Sequence, residues 1–303
     1  MTKAPAFAGA LSIFKLSMNL SSPAAVNAVL KRYGLQPRRR FGQNFLIDAN
    51  VLARIVEASG VAHGAQVLEV GSGLGVLTQA LAEAVSTSGR VVTVEIDRGL
   101  LPVLTETVGS LPQVRVVSSD ALEIDWPDFL GRNFADGPIS VVANIPYNIT
   151  SPLIATFLEQ KSRYASIVLL VQKEVAARIA AGAATPDYGA FSVFVQYHAE
   201  VEIVMNVSRR VFYPAPDVDS AVIRLTPRRS PPVDVRDEAL LFKVVRAAFG
   251  QRRKALVNAL SGDPSLGWER AKAAAAVETA GIDPGRRGET LSIAEFARIA
   301  DAR

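Results

Sequence analysis

Short apolar runs rich in valine and isoleucine alternate with helix-like segments between residues 50 and 180, and this alternation constrains the fold more than any other feature. Buried strands are indicated by length and β-branched composition in the runs QVLEV, RVVTVEI, VRVV, ISVVA and SIVLLVQ. Helices are indicated before, between and after these strands by VLARIVEASG, VLTQALAEAV, LPVLTETV, PLIATFLEQ and KEVAARIAAG. Because strands buried on both faces alternate with helices, we predict an α/β fold with a mostly parallel sheet covered on both faces.

The remainder of the chain divides at a proline-rich stretch, TPRRSPPVDV. Before it, FSVFVQYHA and SAVIRL are predicted to be strands that pair antiparallel at the end of the sheet. After it, helices are indicated by EALLFKVVRAAF, RRKALVNAL, WERAKAAAAVETAG and IAEFARIADA. We therefore expect a poorly ordered extension over residues 1–22, with Met18 as an alternative start, a sheet domain over 23–230 and an all-helical domain over 231–303.

Residue composition excludes several classes of site. The 303 residues contain no cysteine, which excludes disulfides and thiolate metal ligands and favours a reducing, cytoplasmic setting. The two histidines, His63 and His198, are too few for a zinc site, so we predict that each is a surface or packing residue and that no metal is bound. No stretch approaches the roughly 20 apolar residues of a membrane span, so no membrane partner is expected.

Basic residues are clustered, although the net charge is only +4. The stretch KRYGLQPRRR, which ends in Arg38, Arg39 and Arg40, holds five basic residues and no acidic one. Smaller basic groups occur at Arg209, Arg228, Arg252 to Lys254 and Arg286. Such clusters suit the phosphate backbone of a nucleic acid, and equally they suit solvated surfaces and loop tips.

Three glycines separate a predicted strand from a predicted helix in EVGSGLGVLT. Gly71, Gly73 and Gly75 would let the backbone turn tightly and bring a ligand against the start of the helix. The spacing is not that of a dinucleotide fingerprint, and the lysine of a phosphate-binding loop is absent. The glycines alone therefore leave open a generic tight turn.

Acidic residues end the next two predicted strands. Glu95, in VEID, ends the second strand about 20 residues after the last glycine, where a carboxylate can accept both hydrogens of a ribose diol. Asp120 follows the third strand, where it can accept from the exocyclic amine of adenine. Carboxyl ends of neighbouring strands meet at one crevice, and a nucleoside site without a phosphate cradle suggests S-adenosylmethionine. Two ordinary acidic strand ends are the alternative.

The fourth predicted strand ends in NIPYNIT, at the same edge of the sheet. Adenine's exocyclic amine is a poor nucleophile because its lone pair is delocalised into the ring. Asn144 Oδ1 and the Ile145 carbonyl, its direction fixed by Pro146, could accept both amine hydrogens and localise that pair. Tyr147 could stack on the base. The alternative is that this motif only forms a turn.

The sequence resembles the small-subunit ribosomal RNA adenine dimethyltransferases of the KsgA type from about Arg39 almost to its C-terminus. The resemblance is carried by the motifs RRFGQNFLID, EVGSGLGVLT, VEID, SDAL, NIPYNIT, QKEVAARI, FYPAPDVDSAVIRL, FGQRRKALVNAL and GETLSIAEF. It implies a Rossmann-like methyltransferase sheet with a small helical C-terminal domain. It also implies dimethylation of two adjacent adenosines near the 3′ end of 16S rRNA, with S-adenosylmethionine as cofactor and a role in ribosome biogenesis.

The resemblance also implies roles for particular residues. Asn44 and Leu46 of QNFL would border the cofactor, and Gly71 would lie against it. Phe212 matches an aromatic residue placed near the target base. The helical domain would bind rRNA through Arg252, Arg253 and Lys254.

Two other functions remain to be distinguished from this one. One is dimethylation of large-subunit rRNA by an enzyme of the macrolide-resistance type, whose catalytic domain is similar. The other is a mainly binding role, in which the protein docks on the immature small subunit as an assembly factor. We expect the partner to be 16S rRNA in the small subunit or its precursor, and the protein to be a monomer.

Overall fold

The computed structural model describes residue 20 and residues 22–38, 41–251 and 253–302. Two compact units are present. The first extends to Ile149 and takes in Val207–Asp219, and the second contains Thr150–Asn206 and the chain from Ser220 onward.

Nine strands occur in the described residues. They are β1 (Phe45–Leu46), β2 (Gln66–Val70), β3 (Arg90–Glu95), β4 (Val114–Ser118), β5 (Ile139–Asn144), β6 (Tyr164–Gln172), β7 (Ala199–Val207), β8 (Phe212–Tyr213) and β9 (Ser220–Pro227). The five strands predicted between residues 66 and 172 are confirmed as β2 to β6.

Twelve α-helices occur in the same residues. They are α1 (Pro23–Arg32), α2 (Ala49–Ser59), α3 (Val76–Val85), α4 (Leu101–Thr107), α5 (Trp126–Asn133), α6 (Thr150–Glu159), α7 (Lys173–Ala180), α8 (Ala190–His198), α9 (Glu238–Gly250), α10 (Leu256–Ser261), α11 (Arg270–Thr279) and α12 (Ile293–Asp301). None of these helices has the length and apolar character needed to cross a bilayer.

The first unit contains the parallel part of the fold, with strands in the order β4-β3-β2-β5. The pairing places Val70 beside Val94 and Glu95 beside Ser118. Level registers of this kind bring the carboxyl ends of neighbouring strands to one edge of the sheet. The α/β fold predicted from the alternating pattern is confirmed.

A small core holds the N-terminal helix of the first unit against the glycine-containing turn. Val26 and Leu30 of α1 pack in one cluster with Phe45 and Leu74. Phe45 lies over the turn, because a Cβ built on Gly73 would come within 3.3 Å of its ring. Phe45 is thereby fixed beside the carboxyl ends of the strands.

The second unit combines three strands with the C-terminal helices. Its strands lie in the order β6-β9-β7, and β6 pairs antiparallel with β9. Tyr188 and Tyr197 share one core with Leu241 of α9 and Phe296 of α12. The boundaries of the compact units therefore differ from the boundary predicted between residues 230 and 231. The core of the second unit contains residues from both sides of that predicted boundary.

One sequence prediction in this unit is wrong. FSVFVQYHA is not a strand: its first eight residues belong to helix α8, which begins after Gly189, and the strand β7 follows. Apolar residues occupy six of the nine positions of this run, at spacings that fit both a strand and a buried helix, so its periodicity could not distinguish the two. Ser192 stabilises the start of the helix, because its hydroxyl accepts from Gly189 N and donates to the Arg178 carbonyl. SAVIRL is a strand as predicted. It pairs antiparallel with β6, whereas the predicted partner was FSVFVQYHA.

Replacing Gly75 by alanine should destabilise the protein. Gly75 has a φ of +86°, and a Cβ there would lie 2.7 Å from Thr107 Oγ1. Backbone strain and overpacking together should lower the free energy of unfolding by about 2 kcal/mol or more, measured by urea denaturation. Gly131→Ala is the matched control, because Gly131 lies within α5 and the position that its Cβ would take has nothing within 4 Å. That variant should be stabilised by up to about 1 kcal/mol, and equal behaviour of the two variants would contradict the prediction.

Candidate active site

A cavity of about 320 Å³ opens at the carboxyl ends of β2, β3 and β5 in the first unit. Its walls come from five short segments that are distant in sequence, namely residues 41–46, 70–73, 94–96, 120–122 and 144–149, together with Leu77. The volume is within the range of sites that bind small molecules. Most predicted cofactor and catalytic residues line this one cavity.

The glycine turn forms the floor of the cavity. Gly71 and Gly73 have φ values of +83° and +57°, which residues with a side chain rarely adopt. A Cβ on Gly71 would come within 3.4 Å of the Asn144 carbonyl and of Pro146 Cδ. Gly75 does not line the cavity; it lets the start of α3 pack against Thr107.

Glu95 is almost completely buried, with 5% of its surface exposed. Gly73 N donates to its Oε2 at 2.9 Å, and Asp97 N donates to its Oε1 at 2.9 Å. Burial raises the pKa of Glu95, and these backbone hydrogen bonds oppose the increase. Each carboxylate oxygen keeps a lone pair that can accept a further hydrogen bond, so the carboxylate fits the hydroxyls of a ribose.

Two apolar residues that the sequence patterns did not reveal lie beside the acidic strand ends. Ile96 and Leu122 both line the cavity, with 40% and 48% of their surfaces exposed. Between them, Asp120 is partly buried, and its Oδ1 accepts from Leu122 N at 2.9 Å. The exposed apolar side chains match the faces of an adenine ring, and the carboxylate between them matches its amine edge. Their positions in sequence, one residue after Glu95 and two residues after Asp120, were the signal that could have found them.

The NIPY motif packs beside the glycine turn, at Gly71. Asn144 Nδ2 donates to the Asn44 carbonyl at 3.2 Å. Because that carbonyl can only accept, it fixes the orientation of the amide and leaves Oδ1 as the acceptor. Ile145 is buried, whereas Pro146 and Tyr147 are half-buried and line the cavity. The two predicted acceptors and the aromatic residue therefore belong to the same wall.

The FGQNFL segment forms the neighbouring wall. Asn44 Nδ2 donates to the Gly42 carbonyl at 3.1 Å, and a Cβ on Gly42 would come within 3.2 Å of Pro146 Cβ. Leu46 lines the cavity and pairs with Phe212 in the β1–β8 ladder. Phe212 itself is 3% exposed and is not among the lining residues, so its role near a base stays a prediction.

The residues predicted to bind RNA differ in their surroundings. Arg38 forms an ion pair with Asp97, at 2.9 Å between Nη1 and Oδ1, whereas Arg253 and Lys254 are exposed. Arg39, Arg40 and Arg252 lie outside the described residues. Other members of the basic groups are paired within the protein, Arg228 with Glu200 and Arg286 with Glu295.

Neither histidine is among the residues that line the cavity. His63 is exposed, and His198 packs edge-on against Phe194 and Tyr197. Burial and the neighbouring Lys161 lower the pKa of His198 to about 4, so this imidazole is neutral at physiological pH. Within the part of the chain that the structure describes, no three potential ligands among His, Asp and Glu are grouped to hold a metal ion.

Glu69, the penultimate residue of β2, carries a second buried carboxyl group. None of its surface is exposed, and the Thr78 hydroxyl donates to its Oε2 at 2.6 Å. Burial raises the pKa of Glu69 to about 7, and the hydroxyls of Thr78 and Thr93 oppose that increase. Glu69 does not line the cavity; its hydrogen bond with Thr78 connects the end of β2 with the first turn of α3, on either side of the glycine turn.

Comparison with known proteins points to one family. The family model "Ribosomal RNA adenine dimethylase" matches residues 34–302. A ribosomal RNA small subunit methyltransferase A from Pelotomaculum thermopropionicum is 45% identical over 290 residues, which cover 93% of this chain and 97% of that protein. Its counterpart from Moorella thermoacetica is 46% identical over 286 residues, covering 93% and 97%.

Solved structures show the same fold. The 23S rRNA methyltransferase ErmE is 28% identical with a TM-score of 0.63, covering 86% of this chain and 99% of its own. A dimethyladenosine transferase from Plasmodium falciparum is 24% identical with a TM-score of 0.68, covering 84% and 95%. The Rossmann-like methyltransferase fold predicted from the sequence is confirmed.

Replacing Glu69 by glutamine should stabilise the protein in a pH-dependent way. A glutamate with the ordinary pKa of 4.5 loses its proton near that pH when unfolded, but Glu69 in the folded protein loses it near pH 7. Ionisation of Glu69 therefore lowers the stability of the wild-type protein progressively as the pH rises through this window, and the loss is constant above it. Between pH 5 and pH 8, the stability of Glu69→Gln relative to wild type should rise by about 2 kcal/mol.

The measurement is the urea denaturation midpoint and slope at both pH values. Glu57→Gln is the control, because the Glu57 side chain is 69% exposed on α2. A difference between Glu69→Gln and wild type that does not change with pH would contradict the assignment.

Proposed function

The chain belongs to the ribosomal RNA adenine dimethylase family, and from that premise we propose that it dimethylates two adjacent adenosines near the 3′ end of 16S rRNA, in the small ribosomal subunit or its precursor. It is an S-adenosylmethionine-dependent rRNA adenine dimethyltransferase. Relatives that are 43 to 46% identical over nearly the whole chain carry the name small subunit methyltransferase A, whereas the 23S rRNA enzyme ErmE is 28% identical. The small subunit is therefore favoured over the large one.

The cavity residues suit the methyl donor. S-adenosylmethionine supplies an electrophilic methyl group on a sulfonium centre. We assign the ribose hydroxyls to Glu95 and the adenine amine to Asp120, with Ile96 and Leu122 covering the ring. Gly71 and Gly73 leave room beside the donor because neither carries a Cβ, and Asn44 and Leu46 border it. This assignment is supported by the convergence of all these residues on one cavity.

The single observation that supports catalysis most strongly is the fixed amide of Asn144. The Asn44 carbonyl accepts a hydrogen bond from Asn144 Nδ2, so Oδ1 is available to accept a hydrogen bond from the target amine. The Ile145 carbonyl is the second acceptor, and with both hydrogens held, the nitrogen lone pair is localised for attack. Tyr147 stacks on the extruded base, which stabilises it by roughly 1 to 3 kcal/mol. No strong base is required, because the methylated ammonium product loses its proton readily.

We propose that the helical region 231–303 helps to bind rRNA and that the protein acts as a monomer. Arg253 and Lys254 are the exposed cations between α9 and α10 that support this role. A docking function in subunit assembly would use the same surface, so it is compatible with catalysis but does not require Asn144.

Asn144→Ala should abolish methyl transfer while preserving subunit binding. Loss of one positioned acceptor should lower kcat by about 100-fold or more. The assay is transfer from labelled S-adenosylmethionine to small subunits that lack the modification, with the nucleoside identified by mass spectrometry. Asn50→Ala, at an exposed position of α2 away from the cavity lining, is the matched control and should be as active as wild type. Wild-type binding of cofactor and subunit without transfer would instead support an assembly factor.

Replacing Arg253 and Lys254 together by alanine should weaken rRNA binding. Each lost phosphate contact lowers the slope of log affinity against log salt by about one unit, so two contacts give about two. The control variant is Arg224→Ala with Arg228→Ala, which removes the same charge at sites paired with Glu202 and Glu200. Equal salt slopes for the two double variants in a filter-binding titration would refute the assigned surface.

A further inference from the structure

Asp97 is a buried carboxylate that methyl transfer, as assigned above, does not use directly. It is 2% exposed, and its oxygens are surrounded by donors. Oδ1 accepts from Arg38 Nη1 at 2.9 Å and from Gly99 N at 3.0 Å, and Oδ2 accepts from Gln43 Nε2 at 2.8 Å. A carboxylate removed from water is stable only with such partners, so this arrangement ties Asp97 firmly to its surroundings.

Gln43 connects Asp97 with the wall formed by residues 41–46. Its Nε2 donates to Asp97, and its Oε1 accepts from Arg38 N at 2.8 Å. Both ends of the amide are thus engaged, which fixes the Gln43 side chain between Arg38 and Asp97. Gln43 itself lines the cavity next to Asn44.

The backbone of Asp97 connects the same carboxylate with Glu95. Asp97 N donates to Glu95 Oε1, while Glu95 Oε2 accepts from Gly73 N. Any shift of Asp97 therefore changes the direction in which the Glu95 carboxylate points. Two walls of the cavity, one with Gln43 and one with Glu95, meet at this single residue.

We propose that Asp97, Arg38 and Gln43 form a clamp that aims the Glu95 carboxylate at the ribose of the methyl donor. They are positioning residues, and the inference rests on the proposed function because the ligand is the nucleoside of S-adenosylmethionine. Arg38 is 42% exposed, but its charge is matched by Asp97, so it contributes little free charge for a phosphate. Its main effect is then on cofactor binding, and the salt dependence of rRNA binding does not depend on it.

The test measures calorimetric binding of S-adenosylhomocysteine and of its 2′-deoxy form to the intact protein. Wild type should prefer the ribose form, because Glu95 accepts from the hydroxyls. Arg38→Ala, Gln43→Ala and Asp97→Asn should each weaken binding of the ribose form about tenfold, since a buried charged group loses a partner. The same variants should bind the 2′-deoxy form within about twofold of wild type, and KM for S-adenosylmethionine should rise while kcat changes little.

Arg32→Ala is the matched control. Arg32 belongs to the same basic stretch and has an ion pair of the same length, 2.9 Å to Glu106, but both side chains are well exposed. It should leave the dissociation constants of both ligands unchanged. Circular dichroism and the denaturation midpoint show whether each variant is folded, and Arg38→Lys, which keeps the charge, should weaken binding less than Arg38→Ala.

The possible results distinguish failure of the clamp from failure of the proposed function. Equal weakening for both ligands, or no weakening, in folded variants would overturn the clamp while leaving the methyltransferase assignment intact. A salt slope for rRNA binding that falls by about one unit in Arg38→Ala, with unchanged binding of S-adenosylhomocysteine, would also overturn it in favour of a phosphate contact. A wild-type protein that binds no S-adenosylhomocysteine would overturn the proposed function and the clamp with it.

Discussion

The architecture of the site depends on the cost of burying the Glu95 carboxylate. A charge removed from water must be surrounded by donors, and Glu95 obtains two from the backbone, at Gly73 and Asp97. The first donor requires the left-handed turn that follows β2, which places a glycine where other residues would be strained. The second requires the chain to bend directly after β3. One buried charge therefore fixes the shapes of two loops, and the parallel register of β2 and β3 brings them together.

The hydrogen bond between Asn144 and the Asn44 carbonyl has the corresponding role in the other half of the cavity. An asparagine amide can rotate to present either its oxygen or its nitrogen, and only a partner of fixed character decides between them. The partner here is a backbone carbonyl 100 residues away in sequence. The wall formed by residues 41–46 thus also sets the direction of the amide oxygen that we propose as the catalytic acceptor, so the geometry of the NIPY motif depends on the FGQNFL segment.

The sequence predicted the elements and the strand-end residues well, because both depend on local patterns. β-branched runs of about five residues identify buried strands, and polar residues directly after them mark the edge where ligands bind. The prediction for FSVFVQYHA failed because the spacing of its apolar residues fits a strand as well as a buried helix. Ile96 and Leu122 were missed because a single exposed apolar residue is common on any surface. The pairing of Arg38 with Asp97 could not be predicted, since it joins residues far apart in sequence that only the folded chain brings together.

Charge clusters in the sequence illustrate the same limit. Basic residues appeared equivalent when counted along the chain, yet Arg38, Arg228 and Arg286 each have an acidic partner, whereas Arg253 and Lys254 are exposed. A paired arginine attracts a phosphate weakly, because its field is largely cancelled at distances beyond its partner. Affinity for a polyanion therefore follows the unmatched cations, whose positions depend on tertiary structure. A basic stretch can consequently stabilise buried carboxylates within the protein as well as bind a nucleic acid, and only the location of the acidic residues distinguishes the two.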